Sequence, residues 1–188
     1  MALVRVAIGL LAAFAAAIPG GGAAAVPAAG ERPSEYAVKA AFMFNFVKFV
    51  DWPPDSSQRD QFVVVILGAD PFGAVLDQTF AAKKAHERPL VVKRAARLED
   101  VGDPDLLFVA SSEAARLPQI LSRFESTPTL TVGEMENFVT RGGMVGFRLE
   151  DELVRFDINL DRVGQARLKM SSQLVRVARK VISTKSGG

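Results

Sequence analysis

Apolar runs separated by helix-like segments dominate the chain beyond residue 60. Two continuous apolar runs, residues 62–67 and 105–110, predict strands that are buried on both faces. Residues 89–93 and 129–132 are predicted as two further strands. Three segments between and after them have helix-like patterns: residues 71–80, 111–125 and 134–140. Strands that alternate with helices in this way favour a parallel sheet with helices on both of its faces.

The pattern changes near the C-terminus. Residues 144–149 and 153–158 are apolar segments broken by charged positions, and the short polar turn 150–152 joins them. This arrangement predicts an antiparallel β-hairpin with one wetter face. The predicted fold class is therefore α/β: a three-layer α/β/α sandwich with a mostly parallel sheet and an antiparallel C-terminal hairpin.

A helical period follows the hairpin. Asn159 or Asp161 opens a predicted helix that runs to about residue 183. The apolar stripe of this helix is predicted to be core and consists of Val163, Ala166, Met170, Leu174, Val177, Ala178 and Val181. The basic residues off the stripe are interpreted as a solvated face, with a surface for an acidic partner as the alternative.

Residues 36–54 form an unusually apolar segment. Ser34 is a suitable N-cap, and Pro53 and Pro54 end the predicted helix after about 16 residues. Three polar residues interrupt it, namely Lys39, Asn45 and Lys48. Since a membrane span would bury these groups at high cost, the segment is interpreted as a core helix that is apolar nearly all round.

The polar residues of this helix suggest a possible cleft. Asn45 and Lys48 are neighbours on one helical face, with Trp52 near the same line, whereas Glu35 and Lys39 form an i,i+4 pair on another side. Buried polar groups need partners. Asn45 and Lys48 therefore either cap neighbouring loops or face a cleft that a ligand or partner uses.

The first 29 residues have the organisation of a signal peptide. Arg5 ends a short n-region, an apolar stretch of about 13 residues follows, and small residues supply cleavage sites. We expect residues 1–29 to be cleaved and residues 30–188 to form a single α/β domain in a bacterial periplasm. An uncleaved N-terminal anchor is the alternative.

Composition and charge narrow the function classes. The chain has no cysteine, which excludes disulfides, thiolate metal ligands, a lipoprotein anchor and a cysteine nucleophile. Without the leader, which contains Arg5, 22 Lys and Arg (23 − 1) face 21 Asp and Glu, so a nucleic-acid partner is not supported. We expect no cofactor and no metal.

Few residues suggest catalysis. His86 is the one histidine, in a polar loop, and no recognised nucleotide-binding or hydrolase motif is present. Asp70 follows the first buried strand, at the sheet edge where α/β proteins bind ligands, but a helix cap explains it fully.

Gly142 and Gly143 are interpreted as backbone that needs positive φ or the close approach of another chain.

Five segments together resemble the YfiR family of periplasmic regulators and cover essentially the whole mature chain: "EYAVKAAFMFNFVKFVDWP", "VVVILGADPFG", "LLFVA", "TLTVGEMENFVTRGGMVGF" and "VRFDINLDRVGQARLKMSSQLVRVA". The family motif falls on Asn45, Lys48, Trp52, Asp70, Pro71, Phe72, Gly142, Gly143 and Asn159. All of these except Pro71 are our candidate partner-binding or ligand-binding cleft. The resemblance implies no catalytic residue among them.

The resemblance implies a non-enzymatic, often dimeric regulator. It implies binding to, and repression of, the periplasmic sensor domain of an inner-membrane signalling protein, a diguanylate cyclase or a kinase, and sequestration by an outer-membrane-associated lipoprotein. Disulfide-based redox sensing cannot operate in a chain without cysteine. Two other functions stay open: a periplasmic module that binds a small ligand, and an enzyme with a site near Asp70.

Overall fold

The computed structural model describes residues 33–54, 56 and 59–184, so the predicted signal peptide lies outside the described residues. The five α-helices among them are α1 (Glu35–Phe49), α2 (Ala74–Phe80), α3 (Leu117–Phe124), α4 (Leu160–Gln165) and α5 (Ser172–Val177). The strands are β1 (Val50–Asp51), β2 (Phe62–Leu67), β3 (Lys84–Ala85), β4 (Arg88–Ala95), β5 (Leu106–Val109), β6 (Leu130–Gly133), β7 (Val145–Glu150), β8 (Leu153–Asn159), β9 (Lys169–Met170) and β10 (Lys180–Ile182). Single 3₁₀ turns span Leu98–Asp100 and Ser111–Glu113.

Eight strands form one mixed sheet in the order β10-β8-β7-β6-β5-β2-β4-β3. The pairs β2–β4, β2–β5, β5–β6, β6–β7 and β8–β10 are parallel. The predicted hairpin is present as the antiparallel pair β7–β8, and β3–β4 is a second antiparallel pair. The α/β class is confirmed, whereas the sheet is more mixed than the prediction, because β3–β4 adds a second antiparallel pair to that of the hairpin.

Helices cover both faces of the sheet, but unequally. On one face α1 buries Met43 and Phe46 against the strands, and α2, α4 and α5 extend the same core. On the other face α3 buries Leu117, Ile120 and Phe124 against the opposite side of β2 and β5. The three-layer prediction is therefore confirmed in part, since this second layer consists of α3 and irregular turns.

The first helix follows its sequence signals. The Ser34 side chain accepts a hydrogen bond from Ala37 N at 3.2 Å, as an N-cap should, and α1 ends at Phe49 before the two prolines. Met43, Phe46 and Val47 are fully buried. Among the described residues, no helix has the length and apolarity that crossing a membrane requires.

The predicted helix at residues 71–80 begins later than the sequence suggests. Asp70 Oδ1 accepts a hydrogen bond from Phe72 N at 2.8 Å, so Asp70 closes a local turn instead of capping the helix. Gly73 then takes positive φ (53°), and α2 starts at Ala74. Residues 134–140, predicted as a short helix, form turns, and only the second half of 111–125 is α-helix.

The prediction of one long C-terminal helix is wrong. Asn159 does cap a helix, but α4 ends after six residues, and Arg167 then adopts a positive φ of 58°. The chain continues through β9, which pairs with β1, then α5, and then β10, which extends the large sheet. Two residues of the predicted apolar stripe, Val177 and Val181, are exposed.

Candidate functional site

The structure distributes the eight predicted cleft residues over four places. Asn45 and Lys48 lie on α1, away from its buried side. Lys48 is exposed, and its Nζ lies 5.7 Å and 5.6 Å from the ring centres of Phe44 and Phe49, while Asn45 is half-buried. This surface is separate from the other predicted residues.

Trp52 lies at the amino ends of the central parallel strands. Its Nε1 donates to Asp105 O at 3.2 Å. The fully buried carboxylate of Asp105 accepts from Arg88, Arg59 and the backbone N of Val63. These ion pairs and hydrogen bonds hold this end of the sheet together internally, and it lies opposite the end that carries Asp70.

Asp70 and Phe72 lie at the carboxyl ends of the same strands. Asp70 Oδ2 accepts from Arg94 Nε at 3.0 Å, and Arg94 also binds both carboxylate oxygens of Asp77, at 2.7 and 2.6 Å. Phe72 is buried, with its ring centre 5.4 Å from that of Tyr36 and 4.8 Å from that of Phe108. Asp70 thus binds the loop before α2 through Oδ1 and Arg94 of β4 through Oδ2.

Gly142, Gly143 and Asn159 hold the turn that follows β6. A Cβ on Gly143 would lie 2.1 Å from the Phe138 ring, and Gly142 has a φ of 106°, so the expected need for positive φ and close approach is met within the chain itself. Asn159 Nδ2 donates to Val139 O at 3.0 Å, and its Oδ1 accepts from Arg162 N at 3.1 Å. These three residues fix the path of the backbone in this region.

A buried charge cluster links α1 to the end of β6. Its Glu35–Lys39 pair was predicted from the sequence and is confirmed, whereas its link to Glu134 was not predicted. Lys39, only 4% exposed, forms ion pairs with Glu35 and with Glu134 Oε2, the latter at 2.6 Å. Tyr36 Oη lies 3.5 Å from Glu134 Oε1, and Lys39 Nζ lies 4.7 Å from the centre of the Tyr36 ring. The cluster fastens the residue just after β6 to the first helix.

Burial and the neighbouring charges shift the pKa values of two residues in this cluster. Burial alone would lower the pKa of Lys39, but the hydrogen bonds that Lys39 donates to Glu134 and Glu35, together with their negative charges, raise it above the ordinary 10.5. Burial and then the charge of Glu134 raise the pKa of Tyr36 above 10.0. The cluster therefore holds a charged lysine and a neutral tyrosine at neutral pH.

The hairpin projects beyond its neighbours in the sheet. Strand β6 pairs with β7 only as far as Gly146, and β10 pairs with β8 only over residues 157–159. Among the described residues, no strand lies along the outer edges of residues 147–150 and 153–155. We call residues 147–156 the hairpin arm. At its base Arg179 N donates to Phe156 O at 2.9 Å, whereas the outer edges of residues 147–150 and 153–155 are open to pairing.

The arm combines a buried base with an apolar tip. At its base, Phe147 and Phe156 pack against Phe42 and Phe46 of α1, with ring centres 5.1–6.3 Å apart. Near its tip, Leu149 is 55% exposed and Leu153 is 53% exposed. Exposed large hydrophobic residues elsewhere in the described chain are Val177 and Val181, in α5 and the adjacent edge strand β10. Apolar exposure is thus concentrated at one end of the sheet.

The arm also carries two opposed arginines. Arg148 and Arg155 are direct cross-strand partners, and neither forms an ion pair with a described residue. Like charges in that position destabilise a hairpin, so an external acidic group would relieve the repulsion. Arg179, by contrast, is bound by Asp157 at 2.7 Å and by Glu150 at 3.2 Å.

A cavity of about 190 Å³ joins the arm to the charge cluster. It is lined by Glu134 and Glu136 after β6 and by Arg148 and Leu149 of the arm, among others. Within the described residues, no group of His, Asp or Glu side chains is arranged to hold a metal ion. The arrangement is a surface with open backbone, apolar side chains and unpaired cations, which suits binding to another protein.

Some sequence signals for this region were available. Lys39 is a charge inside an otherwise apolar helix, and Glu134 follows a buried parallel strand just as Asp70 does. Lys39 and Glu134 are 95 residues apart in the sequence, so their ion pair has no local sequence signature. The exposure of Leu149 and Leu153 depends on where β6 and β10 stop, which periodicity does not record.

Comparisons with known proteins give a family and a fold. A family model described as YfiR/HmsC-like matches residues 36–179. A crystal structure of a conserved domain protein from Vibrio cholerae O1 biovar El Tor str. N16961 is similar at 12% identity with a TM-score of 0.53. The match covers 79% of this chain and 60% of that one, so the chain spans less than two thirds of that protein, and the likeness concerns the fold alone. No curated protein matches the chain.

Proposed function

Because the chain belongs to the YfiR/HmsC-like family of periplasmic regulatory domains in cyclic di-GMP signalling, we propose that it represses an inner-membrane signalling protein by direct binding. The partner is the periplasmic sensor domain of a diguanylate cyclase, and the chain itself performs no catalysis. Control of cyclic di-GMP, and through it of biofilm formation, is the cellular output.

The hairpin arm is the observation that carries this proposal. Open strand edges bind extended segments of other proteins through backbone hydrogen bonds, and neighbouring apolar side chains add specificity. The arm offers both: unpaired edges at residues 147–150 and 153–155, and exposed Leu149 and Leu153. The opposed Arg148 and Arg155 favour an acidic segment on the partner.

The rigid base of the arm supports a role in repression. The Phe147 and Phe156 contacts with α1 and the Lys39–Glu134 ion pair tie the surroundings of the arm to the first helix. A docking surface that is fixed before binding loses little conformational entropy when the complex forms. Such a surface can hold a flexible sensor domain in one inactive arrangement.

In-cell crosslinking tests the proposed function. A tagged chain is exported to the periplasm and crosslinked, its partners are identified by mass spectrometry, and cyclic di-GMP is assayed with and without the gene. Recovery of a membrane diguanylate cyclase, with cyclic di-GMP rising on deletion, is the expected result. Recovery of a histidine kinase, or no membrane partner together with unchanged cyclic di-GMP, would contradict it.

The same experiment addresses two further proposed partners. We propose that an outer-membrane-associated lipoprotein sequesters the chain and that a second copy can pair with it as a homodimer. Overproduction of such a lipoprotein would lower the crosslinked yield of the cyclase complex. A crosslinked species of twice the chain mass would report the homodimer.

A further inference from the structure

A second cavity, of about 200 Å³, lies between α3, the turn that carries Gly142, and Arg162 of α4. It is separate from the hairpin arm. Its lining includes apolar side chains from α3 and from the residue before β7, namely Leu121, Phe124 and Met144. Phe124 and Met144 are otherwise buried, so these groups form an apolar floor.

Two arginines line the same cavity. Arg141 donates from Nη2 to Ala114 O at 3.0 Å, which fixes its guanidinium at the wall. Arg162 donates from Nη1 to Glu125 at 2.5 Å and to Gln165 at 2.9 Å. Glu125 is the acidic residue of the lining, so the charged side chains around the cavity sum to one positive charge.

The edge of Arg162 that does not bind Glu125 faces the backbone of Gly142. A Cβ on Gly142 would lie 3.5 Å from Arg162 Nη2 and 3.6 Å from Leu121 Cδ1. Gly142 also has a φ of 106°, which other residues rarely adopt. A side chain at this position would occupy the space between the guanidinium and the apolar wall, so the glycine keeps the cavity open.

We propose that this cavity binds a small organic carboxylate with a short apolar chain. Guanidinium groups match the planar geometry of a carboxylate and bind it through paired hydrogen bonds. The floor of Leu121, Phe124 and Met144 takes the apolar chain. A volume below the usual ~300–1,000 Å³ of sites for drug-sized ligands restricts the ligand to a small molecule.

The chemistry selects against two simpler ligands. A free inorganic anion would leave the apolar floor unused and would lose its hydration shell for few donors. A neutral compound of the same shape would leave Arg141, which has no ion pair with a described residue, without an anionic partner. Such a site would make the chain a sensor of a small ligand, the second function that the sequence leaves open, and it does not depend on the proposed cyclase partner.

Hexanoate is a suitable probe, measured on the purified mature chain by isothermal titration calorimetry and thermal unfolding. We expect saturable binding and a rise in Tm with hexanoate. Hexanamide, acetate and inorganic phosphate are the matched compounds, and we expect each to bind at least tenfold more weakly. Equal effects of hexanoate and hexanamide, or of hexanoate and phosphate, would overturn the proposal, as would the absence of hexanoate binding.

Two variants locate the binding site. Arg141→Gln removes one cation, and Leu121→Phe keeps both arginines but fills the apolar space; each should weaken hexanoate binding at least tenfold. Arg97→Gln removes an exposed cation that does not line the cavity, so this variant should bind hexanoate as the parent does. Unchanged binding in both cavity variants would overturn the assignment. The Tm of each variant without ligand shows that it is folded.

Discussion

The two ends of the eight-stranded sheet differ in their protection against another strand. At the β4 end, β3 covers only the first residues of β4, and the exposed side chains along this edge include Lys84, Lys93 and Arg94. Edge cations of this kind discourage pairing with a second chain. At the hairpin end, the open edges lie beside exposed leucines and valines. Both ends carry cations, so the difference between them is apolar exposure. We call the β4 end the guarded edge because its exposed side chains include three cations, and the hairpin end offers apolar side chains for binding.

The contrast extends to the charges. At the β4 end, Arg94 is bound by Asp70 and Asp77, and the hydrogen bonds from Arg94 lower the pKa of the Asp77 carboxyl. At the hairpin end, Arg148 and Arg155 oppose each other without an acidic partner among the described residues. An acidic group of a binding partner would relieve the repulsion between Arg148 and Arg155.

Removal of a base contact of the arm should have the largest effect. Phe156→Ala deletes a fully buried ring that contacts Phe42 and Phe46, and we expect a loss of about 3–5 kcal/mol in the free energy of unfolding. Urea unfolding followed by circular dichroism measures it. A loss below about 1 kcal/mol would mean that the arm is not part of the core and that its tip is not rigidly presented.

Removal of the apolar tip should affect binding but not stability. The double variant Leu149→Ser/Leu153→Ser should weaken the partner complex at least tenfold, about 1.4 kcal/mol, because it removes exposed apolar contacts. The unfolding free energy should change by less than about 0.5 kcal/mol. Lys84→Ser at the opposite edge is the matched control and should change neither quantity. Equal partner affinity for the double variant and the parent would show that the apolar tip of the arm does not bind the partner.

Alkaline pH should loosen the connection between α1 and β6. Since the folded-state pKa values of Lys39 and Tyr36 both lie above their ordinary values, folding favours the protonated forms. Their contribution to stability is complete below about pH 10 and falls as the pH rises through the folded-state values. Unfolding measured between pH 8 and pH 11 should show this loss. Lys39→Met should remove the lysine part of this loss and leave the part from Tyr36, and an equally steep loss in that variant would contradict the assignment.

Relief of the arginine repulsion should have the smallest effect. Arg155→Gln removes one of two like charges that face each other, so we expect the free energy of unfolding to rise by roughly 0.2–1 kcal/mol. The gain should be larger at low salt, because salt screens exposed charges. If the variant is less stable at low salt than the parent, Arg155 is already compensated within the chain.

The sequence predicts the centre of this fold better than its ends. β2 and β5 are continuous apolar runs, and both are buried close to their predicted bounds, because burial on both faces leaves a local signature. The C-terminal region is predicted wrongly because its structure depends on strand pairing with distant segments. Its helical spacing is real, yet the pairing of β9 with β1 and of β10 with β8 outweighs local propensity.

The candidate site was predictable only in part. Gly142 and Gly143 were identified from their residue type, and the structure explains them by positive φ and by contact with Phe138. Trp52 and Asp70, expected in one cleft, lie at opposite ends of the sheet, since α1 ends at Phe49 and Trp52 no longer follows its helical phase. Exposure of the arm depends on the lengths of β6 and β10.

Site-specific photocrosslinking in the periplasm tests the central claim, that the hairpin arm contacts an inner-membrane partner. A photoreactive amino acid is placed at position 153 on the arm or at position 84 on the guarded edge. We predict that position 153 crosslinks to an inner-membrane diguanylate cyclase and that position 84 does not. Equal crosslinking from both positions, or crosslinking from position 153 only to a second copy of the chain, would contradict the account.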